Sequence, residues 1–315
     1  MRTIELTYPH SLLKGELPDT VAATGFFDGI HKGHQRVINT AIQHANNNDM
    51  ESAVISFHPH PSVVLKKDNK HVKYITPMKE KIKVLSQMGV DRLYIITFNK
   101  ELSALSPQEF IDHFIIGLNM KHVVAGFDFS YGHKGQGNMN SIEEHARGLF
   151  THTTIDKVLD EGEKISSTRI RNLLQDGNVE KVHHLLDRPL TITGKVIEGE
   201  KRGRELGYPT ANIQIDPDAL LPKPGIYAVK IVYHNSIYEG MASLGINPTF
   251  TEDRLDLSFE VNIFDFQNDL YGEELTVQWY TFIREEEKFD SVKGLIDQIK
   301  EDERVIRNYF HVTDK

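Results

Sequence analysis

The segment Gly25-Phe26-Phe27-Asp28-Gly29-Ile30-His31-Lys32-Gly33-His34 lies where an apolar run gives way to a helical pattern. Glycines at 29 and 33 allow the backbone to approach a ligand closely, and a helix N-terminus favours phosphate. His31 and His34, three apart, share one side of a helical turn and offer two imidazoles to phosphate oxygens. Two surface histidines in a chain that has 16 is the plain alternative for either residue alone. As a zinc site the pair is poor, having no third ligand nearby. Downstream, Ile165-Ser166-Ser167-Thr168-Arg169-Ile170-Arg171 opens a second helical pattern. One hydroxyl there is an ordinary helix cap. Three hydroxyls beside Arg169 and Arg171 have the chemistry to bind a polyphosphate.

The second half carries a different set. Gly194–Asn212 is a glycine-rich stretch with Gly199, Gly203 and Gly207, and it contains no G-x-x-x-x-G-K-[ST] phosphate loop. It ends in Pro209-Thr210-Ala211-Asn212, where Thr210 and Asn212 point to one side of an extended chain. A hydroxyl and an amide oxygen so placed suit a Mg²⁺ shared with nucleotide phosphates, unless they are merely two hydrogen-bonding strand residues. Glu260 falls in an apolar strand pattern expected to face inward, where a carboxylate is costly unless paired, solvated or functional. Phosphorylation of an alcohol uses such a carboxylate to accept the hydroxyl proton. The structural alternative is a salt bridge to Arg254 or Arg284.

Two kinds of scaffold are expected to position these residues. In the first half, Ala22–Phe27, Ala53–Phe57, Arg92–Phe98 and His122–Gly126 read as buried strands. Between them lie helical patterns from about Gly33 to Asn46, over Met78–Met88 and over Pro107–Leu118. The alternation predicts βαβ units, a parallel sheet of Rossmann type and ligands at the carboxyl ends of the strands. From Leu190 onward, strands at Leu190–Ile197, Gly225–His234, Ile237–Gly245, Leu255–Phe264 and Leu275–Phe282 follow without helices. Asn235-Ser236 reads as a hairpin turn, and a C-terminal apolar face of Val292, Leu295, Ile296, Ile299, Ile306, Tyr309 and Phe310 closes a small barrel. The boundary is expected near Asp187-Arg188-Pro189, giving domains 1–186 and 187–315. The glycine-rich Tyr131–Asn140 segment is expected to be a mobile loop.

The composition narrows the classes. A chain of 315 residues suits two domains, and its net charge of −9, with signs interleaved, disfavours a nucleic-acid partner. Zero cysteines exclude disulfides, thiolate metal sites and a catalytic thiol. No signal-peptide core or apolar stretch of membrane-spanning length is visible, so the expected place is the cytoplasm, away from membranes. No feature indicates an oligomer.

The strings G-F-F-D-G-I-H-K-G-H and I-S-S-T-R-I-R resemble the nucleotidyltransferase signature. More narrowly, they resemble the FMN adenylyltransferase half of the prokaryotic bifunctional riboflavin kinase/FAD synthetases. Phe57-His58-Pro59-His60-Pro61 and Val124-Ala125-Gly126-Phe127-Asp128-Phe129 match as well, although many relatives carry an acidic residue where His58 stands. The resemblance implies that His31 and His34 hold ATP phosphates during transfer, within a nucleotide-binding turn that includes Gly25, Phe27, Gly29 and Gly33. It implies that Ser167, Thr168 and Arg171 contact the triphosphate from the other side. Asp28 would help to position nucleotide or metal, and Phe57, Pro59, Pro61 and Asp128 would border the flavin.

The second half resembles the riboflavin kinase domain through its glycine loop, P-T-A-N, Gly245-Ile246-Asn247-Pro248-Thr249-Phe250, the strand of Glu260, Asp269-Leu270-Tyr271-Gly272 and Phe282-Ile283-Arg284. That implies a six-stranded barrel and Mg·ATP on Thr210 and Asn212 beside Gly199, Gly203 and Gly207. Glu260 would be general base, with Asn247, Tyr271 and Arg284 near the flavin. The implied partners are riboflavin, FMN and ATP. In the implied second reaction FMN phosphate attacks the α-phosphorus of ATP, and positioning and charge stabilisation carry the rate without a strong base. Three rivals remain open: an adenylyltransferase with a merely flavin-binding second half, a nucleotidyltransferase for another small phosphate, and a flavin sensor without turnover. Thr210, Asn212, Glu260, His31 and His34 are all in place, which favours the bifunctional enzyme.

Overall fold

The structure is a computed structural model that describes residues 1–65, 72–199, 203, 206–247 and 256–313. The chain divides into two compact units, Met1–Ser167 and Thr168–Lys315.

The first unit is built on a six-stranded parallel sheet. Its strands are β1 (Arg2–Leu6), β2 (Thr20–Thr24), β3 (Glu51–His58), β4 (Arg92–Thr97), β5 (Met120–Gly126) and β8 (Thr151–Ile155), in the order β1-β4-β3-β2-β5-β8. The four expected strands are present. β1 and β8 escaped the sequence reading because they are edge strands, polar along much of their length (RTIEL and THTTI), without the continuous apolar run of a strand buried on both faces. From β2 the chain works outward through β3 and β4 and then returns to β5 on the other flank of β2. The direction therefore reverses at β2, and a crevice at its carboxyl end is where such sheets bind ligands.

Both sheet faces are covered. The Lys32–Asn47 helix buries Val37, Ile38, Ala41 and Ala45, spaced for one helical stripe, against Val21, Ala23 and Val54. The opposite face packs Phe110, Ile111, Phe114 and Ile115 on Ala22, Ala53, Ile55 and Ala125. The Pro107–Ile111 helix starts with a capping box between Ser106 and Glu109 and runs into a π turn, Asp112–Ile116. The Tyr131–Asn140 segment is more ordered than a bare loop. It forms a small hairpin, β6 (Ser130–Tyr131) with β7 (Gly137–Asn138), and the Tyr131 hydroxyl is 2.8 Å from Nδ1 of His145. Another hairpin, β9 (Leu159–Asp160) with β10 (Glu163–Lys164), leads to Ser167.

The second unit opens with helices Ser167–Gln175 (its first residue closing the first unit) and Val179–Leu186. A closed antiparallel barrel follows, made of β11 (Leu190–Ile197), β12 (Ala211–Gln214), β13 (Gly225–Tyr233), β14 (Ser236–Asn247), β15 (Asp256–Ile263) and β16 (Glu274–Arg284). The order β11-β12-β15-β14-β13-β16 closes on itself, which leaves no free edge. The hairpin turn is His234-Asn235, one residue earlier than expected, with His234 in the left-handed region at φ 50°. Tyr227, Phe259 and Trp279 fill the interior, their ring centroids 4.9 and 5.2 Å from that of Trp279. The C-terminal helix Val292–Thr313 seats Ile306 and Phe310 on Ile226, Ala228, Met241 and Phe264 of the barrel's outer wall. The two leading helices also pack on the barrel. Leu174 accepts a bond from Lys223 N–H at 2.8 Å, and the His183 ring stands edge-on to Tyr280.

Candidate functional site

The turn after β2 is shaped by three left-handed residues: Phe27 at φ 53°, Gly29 at 90° and Ile30 at 43°. Only glycine takes this region at no cost, and a β-branched residue there is strained. Burial of Phe27 and Ile30 in the core beside the Lys32–Asn47 helix holds the two strained residues in place. The turn delivers His31 as the helix cap. Its Nδ1 accepts the His34 N–H at 3.2 Å, and the two imidazoles stack with centroids 3.6 Å apart. An accepting Nδ1 leaves Nε2 of His31 as the ring's N–H donor. Phe27 stands edge-on to His34, and a Cβ on Gly25 or Gly33 would press on the Phe27 or His31 ring respectively.

The second motif meets this turn. Ser167 Oγ donates to the Asp28 carbonyl at 2.8 Å, and the Ile165 carbonyl lies over Gly33. Asp28 is 3% exposed, and its Oδ1 accepts the Thr76 N–H at 3.1 Å. His31, His34, Asp28, Gly29, Gly33 and Ser167 are thus gathered at the carboxyl end of β2. Thr168 and Arg171 stand in the first turns of the Ser167–Gln175 helix, counted with the second unit. Phe57, next to last in β3, is half-buried with its ring 6.2 Å from Phe110, while Pro59 follows a cis bond and Pro61 begins a short helix. Asp128 pairs with Lys164 at 2.6 Å, and Lys164 lies over the exposed Phe127 ring.

Lys81 was missed by the sequence reading. It is 2% exposed, and its ammonium donates to the Phe26 carbonyl at 2.7 Å and to Ser56 Oγ at 3.1 Å. Burial pulls its pKa down to about 8, against the opposing pull of the Asp28 carboxylate. The available signal was spacing. Lys81 falls on the same stripe of the Met78–Gln87 helix as buried Val84 and Leu85.

In the second unit, Thr210 Oγ1 donates to Glu260 Oε2 at 2.8 Å, and Asn212 is the cross-strand partner of Glu260. The three share one outer face of the barrel. This corrects the expectation for Glu260: Phe259 and Val261 point inward and are buried, whereas Glu260 points outward and is half-buried. Its carboxylate therefore does not face an apolar interior. Nor is it paired with Arg284, whose guanidinium binds Asp302 at 2.8 Å. The other candidate partner, Arg254, lies outside the described residues. Asn262, also unforeseen, donates through Nδ2 to the Pro209 carbonyl at 2.7 Å and pins the chain just before Thr210.

The glycine loop is built around the same residues. Gly199 abuts the Asn212 amide so closely that a Cβ would collide with it, and Gly203 abuts the Tyr208 carbonyl in the same way. Gly207 is left-handed at φ 83°. Residues 200–202, 204–205 and 248–250 of the matching strings lie outside the described residues. Asn247 ends β14 by its backbone, its side chain being outside them too. Tyr271 is 38% exposed, with its N–H on Asp269 Oδ1. Arg284 ties β16 to the C-terminal helix through Nε and Nη2 on Asp302, and its Nη1 donates to the Glu285 carbonyl. Thr210 and Asn212 fit a magnesium ion shared with phosphates. The Thr210 proton goes to Glu260, which leaves the oxygen's lone pairs for a hard cation. Among the described residues no group of three or more His, Asp or Glu could hold a metal by itself.

A strand-to-helix turn carrying two stacked histidines on a parallel α/β unit, followed by a barrel bearing a hydroxyl, an amide and a carboxylate on one face, has the make-up of a two-part nucleotide-using transferase. The family model described as FAD synthetase matches residues 13–169, and that described as riboflavin kinase matches 186–310. The chain is 46% identical over 310 residues to the bifunctional riboflavin kinase/FMN adenylyltransferase of Listeria monocytogenes, covering 98% of each. It is 44% identical to that of Bacillus subtilis, again over 98% of each, and 30% identical to that of Escherichia coli over 96% of this chain and 97% of the other. A solved Streptococcus pneumoniae structure described as a macrolide-efflux protein matches 98% of this chain and 99% of its own, at 36% identity and TM-score 0.89. The chain belongs to the bifunctional riboflavin kinase/FMN adenylyltransferase family. Among its described residues no helix is long and apolar enough to cross a membrane.

Proposed function

We infer that the chain phosphorylates riboflavin to FMN in its second half and transfers AMP from ATP to FMN in its first, releasing pyrophosphate. The observation that carries this reading is that each family model falls on a half whose motif residues converge on one site. The working division is 1–186 for adenylyl transfer and 187–315 for the kinase.

In the kinase, Glu260 takes the proton from the terminal ribityl hydroxyl as that oxygen attacks the γ-phosphorus of ATP. Thr210 orients the carboxylate through its hydrogen bond, and Gly199, Gly203 and Gly207 keep the loop close to the phosphates. Bound magnesium would neutralise phosphate charge, held by Thr210 and Asn212. Asn247 and Tyr271 border the flavin, and Arg284 serves it by fixing the C-terminal helix. In the adenylyltransferase, an FMN phosphate oxygen attacks the α-phosphorus and pyrophosphate leaves. Nε2–H of His31, with His34, Ser167, Thr168 and Arg171, steadies the phosphates, while Asp28, Gly25, Phe27, Gly29 and Gly33 shape the turn. Phe57, Pro59, Pro61 and Asp128 border the FMN ring. The enzyme so read works in the cytoplasm on riboflavin, FMN and ATP, without nucleic acid or membrane.

The test is chromatography of flavins after incubation with riboflavin, ATP and Mg²⁺. FMN should appear first and FAD after it. The double variant His31→Ala/His34→Ala should stop at FMN. Unchanged riboflavin together with unchanged supplied FMN would refute the reading at the level of substrate.

A further inference from the structure

Lys81 buries a charge where its helix otherwise buries apolar side chains, and that needs a return. Removing an ammonium from water costs several kcal/mol unless its hydrogen bonds are replaced. Here the ammonium's hydrogen bonds lead to one place. It donates at 2.7 Å to the carbonyl of Phe26 and at 3.1 Å to Ser56 Oγ, and Ser56 Oγ itself donates at 3.0 Å to that same carbonyl. The ammonium also lies 4.8 Å from the centre of the Phe26 ring. Phe26 directly precedes the left-handed Phe27, and the next residue is Asp28, whose Oδ1 is held by Thr76 N–H. The segment from Thr76 to Lys81 therefore grips the turn at two points, at the Phe26 carbonyl and at the Asp28 carboxylate.

We propose that Lys81 is a positioning residue for adenylyl transfer. Its buried ammonium, braced by Ser56, locks the strained Phe26–Ile30 turn so that His31 and His34 meet the nucleotide phosphates in register. The proposal rests on the reading that this unit makes FAD. Strained backbone persists only where its surroundings over-determine it, and here Ser167 Oγ holds the Asp28 carbonyl and Gln35 Nε2 the Ile30 carbonyl. Lys81 fixes the main chain where the turn begins, at the Phe26 carbonyl. The residue acts through the turn, so its loss changes the alignment of bound substrates more than their affinity.

The experiment measures FAD formation from FMN and ATP by wild type, Lys81→Met and Ser56→Ala, with riboflavin phosphorylation and thermal melting recorded on the same preparations. Misplacement of catalytic groups by about an ångström costs on the order of 100-fold, so kcat of Lys81→Met should fall by about that factor, with KM for ATP and FMN within about threefold. Ser56→Ala, which keeps one of the two acceptors, should lose about tenfold with the same split. Riboflavin phosphorylation should not change. Full kcat in Ser56→Ala, or a loss confined to KM, overturns the proposal, and Ser56→Ala decides it if Lys81→Met fails to fold. A wild type that makes no FAD overturns the functional reading instead, and the control lane shows which has failed.

Discussion

Replacing Glu260 by glutamine isolates proton acceptance from everything else the side chain does. Gln has the same length and shape, and its carbonyl oxygen still accepts the Thr210 hydroxyl now held at 2.8 Å by Oε2. Glu260 is half-buried on the barrel's outer face and Phe259 and Val261 carry the core, so stability should change little. What disappears is a carboxylate able to take the ribityl proton. General-base catalysis is worth about 10²- to 10⁴-fold, or roughly 3–5 kcal/mol of barrier. The assay is single-turnover FMN formation at saturating ATP and Mg²⁺, quenched and resolved by chromatography, with FMN-to-FAD conversion as the control. The expected result is a kcat lower by about 1,000-fold, with riboflavin KM and FAD formation near wild type. A kcat within about tenfold of wild type would refute the base assignment and leave Glu260 as an anchor for Thr210 alone.

Four further outcomes are expected. Asp302→Ala strands the largely buried Arg284 guanidinium and should cost about 3–5 kcal/mol, lowering the melting temperature by roughly 10 °C. Asp265→Ala, which removes an exposed carboxylate from Arg307, should leave the melting temperature nearly unchanged in the same assay. Asn262→Ala frees the Pro209 carbonyl and should raise the kinase KM for ATP about tenfold in steady-state titration, leaving adenylyl transfer unchanged. Burial and neighbouring His44 and His152 hold the His122 pKa at about 4, below its ordinary 6.5. The unfolded chain then binds more protons between those values, so stability is full above pH 6.5 and is lost as pH falls toward 4. The total loss is up to about 3 kcal/mol, and His122→Gln should flatten that slope in urea titrations at pH 7 and pH 5.

The parts of the fold and site legible in the sequence are those encoded locally. β2, β3, β4 and β5 announce themselves as apolar runs because both their faces are covered, and His31 and Ser167 stand in strings that mark strand-to-helix turns. Tertiary placement was not legible. The exception is Glu260, whose outward face was written in the alternation of Phe259, Val261 and Ile263 with Ser258, Glu260 and Asn262, and Phe259 is indeed the one stacked on Trp279. The tie of Arg284 to Asp302, on the helix that follows β16, is announced by no spacing in the sequence. Lys81 and Asn262 contact main-chain carbonyls, and a carbonyl leaves no trace in a sequence.

The same distinction sets how the two sites divide their work. At the barrel, the residues read for chemistry touch one another directly: Thr210 bonds Glu260, and Asn212 sits across the strand pair from it. At the α/β turn, His31 and His34 bond each other, while Asp28 and Ser167 are spent on main-chain groups. A kinase must remove a proton from a neutral alcohol, so it needs a carboxylate oriented by its neighbours. Adenylyl transfer joins groups that are already anionic, so its protein needs a rigid frame of donors and little else. The hydrogen-bond pattern in each unit is the one its reaction requires. Conservative replacement should therefore be costly at Glu260 and tolerated at Asp28, provided its link to Thr76 survives.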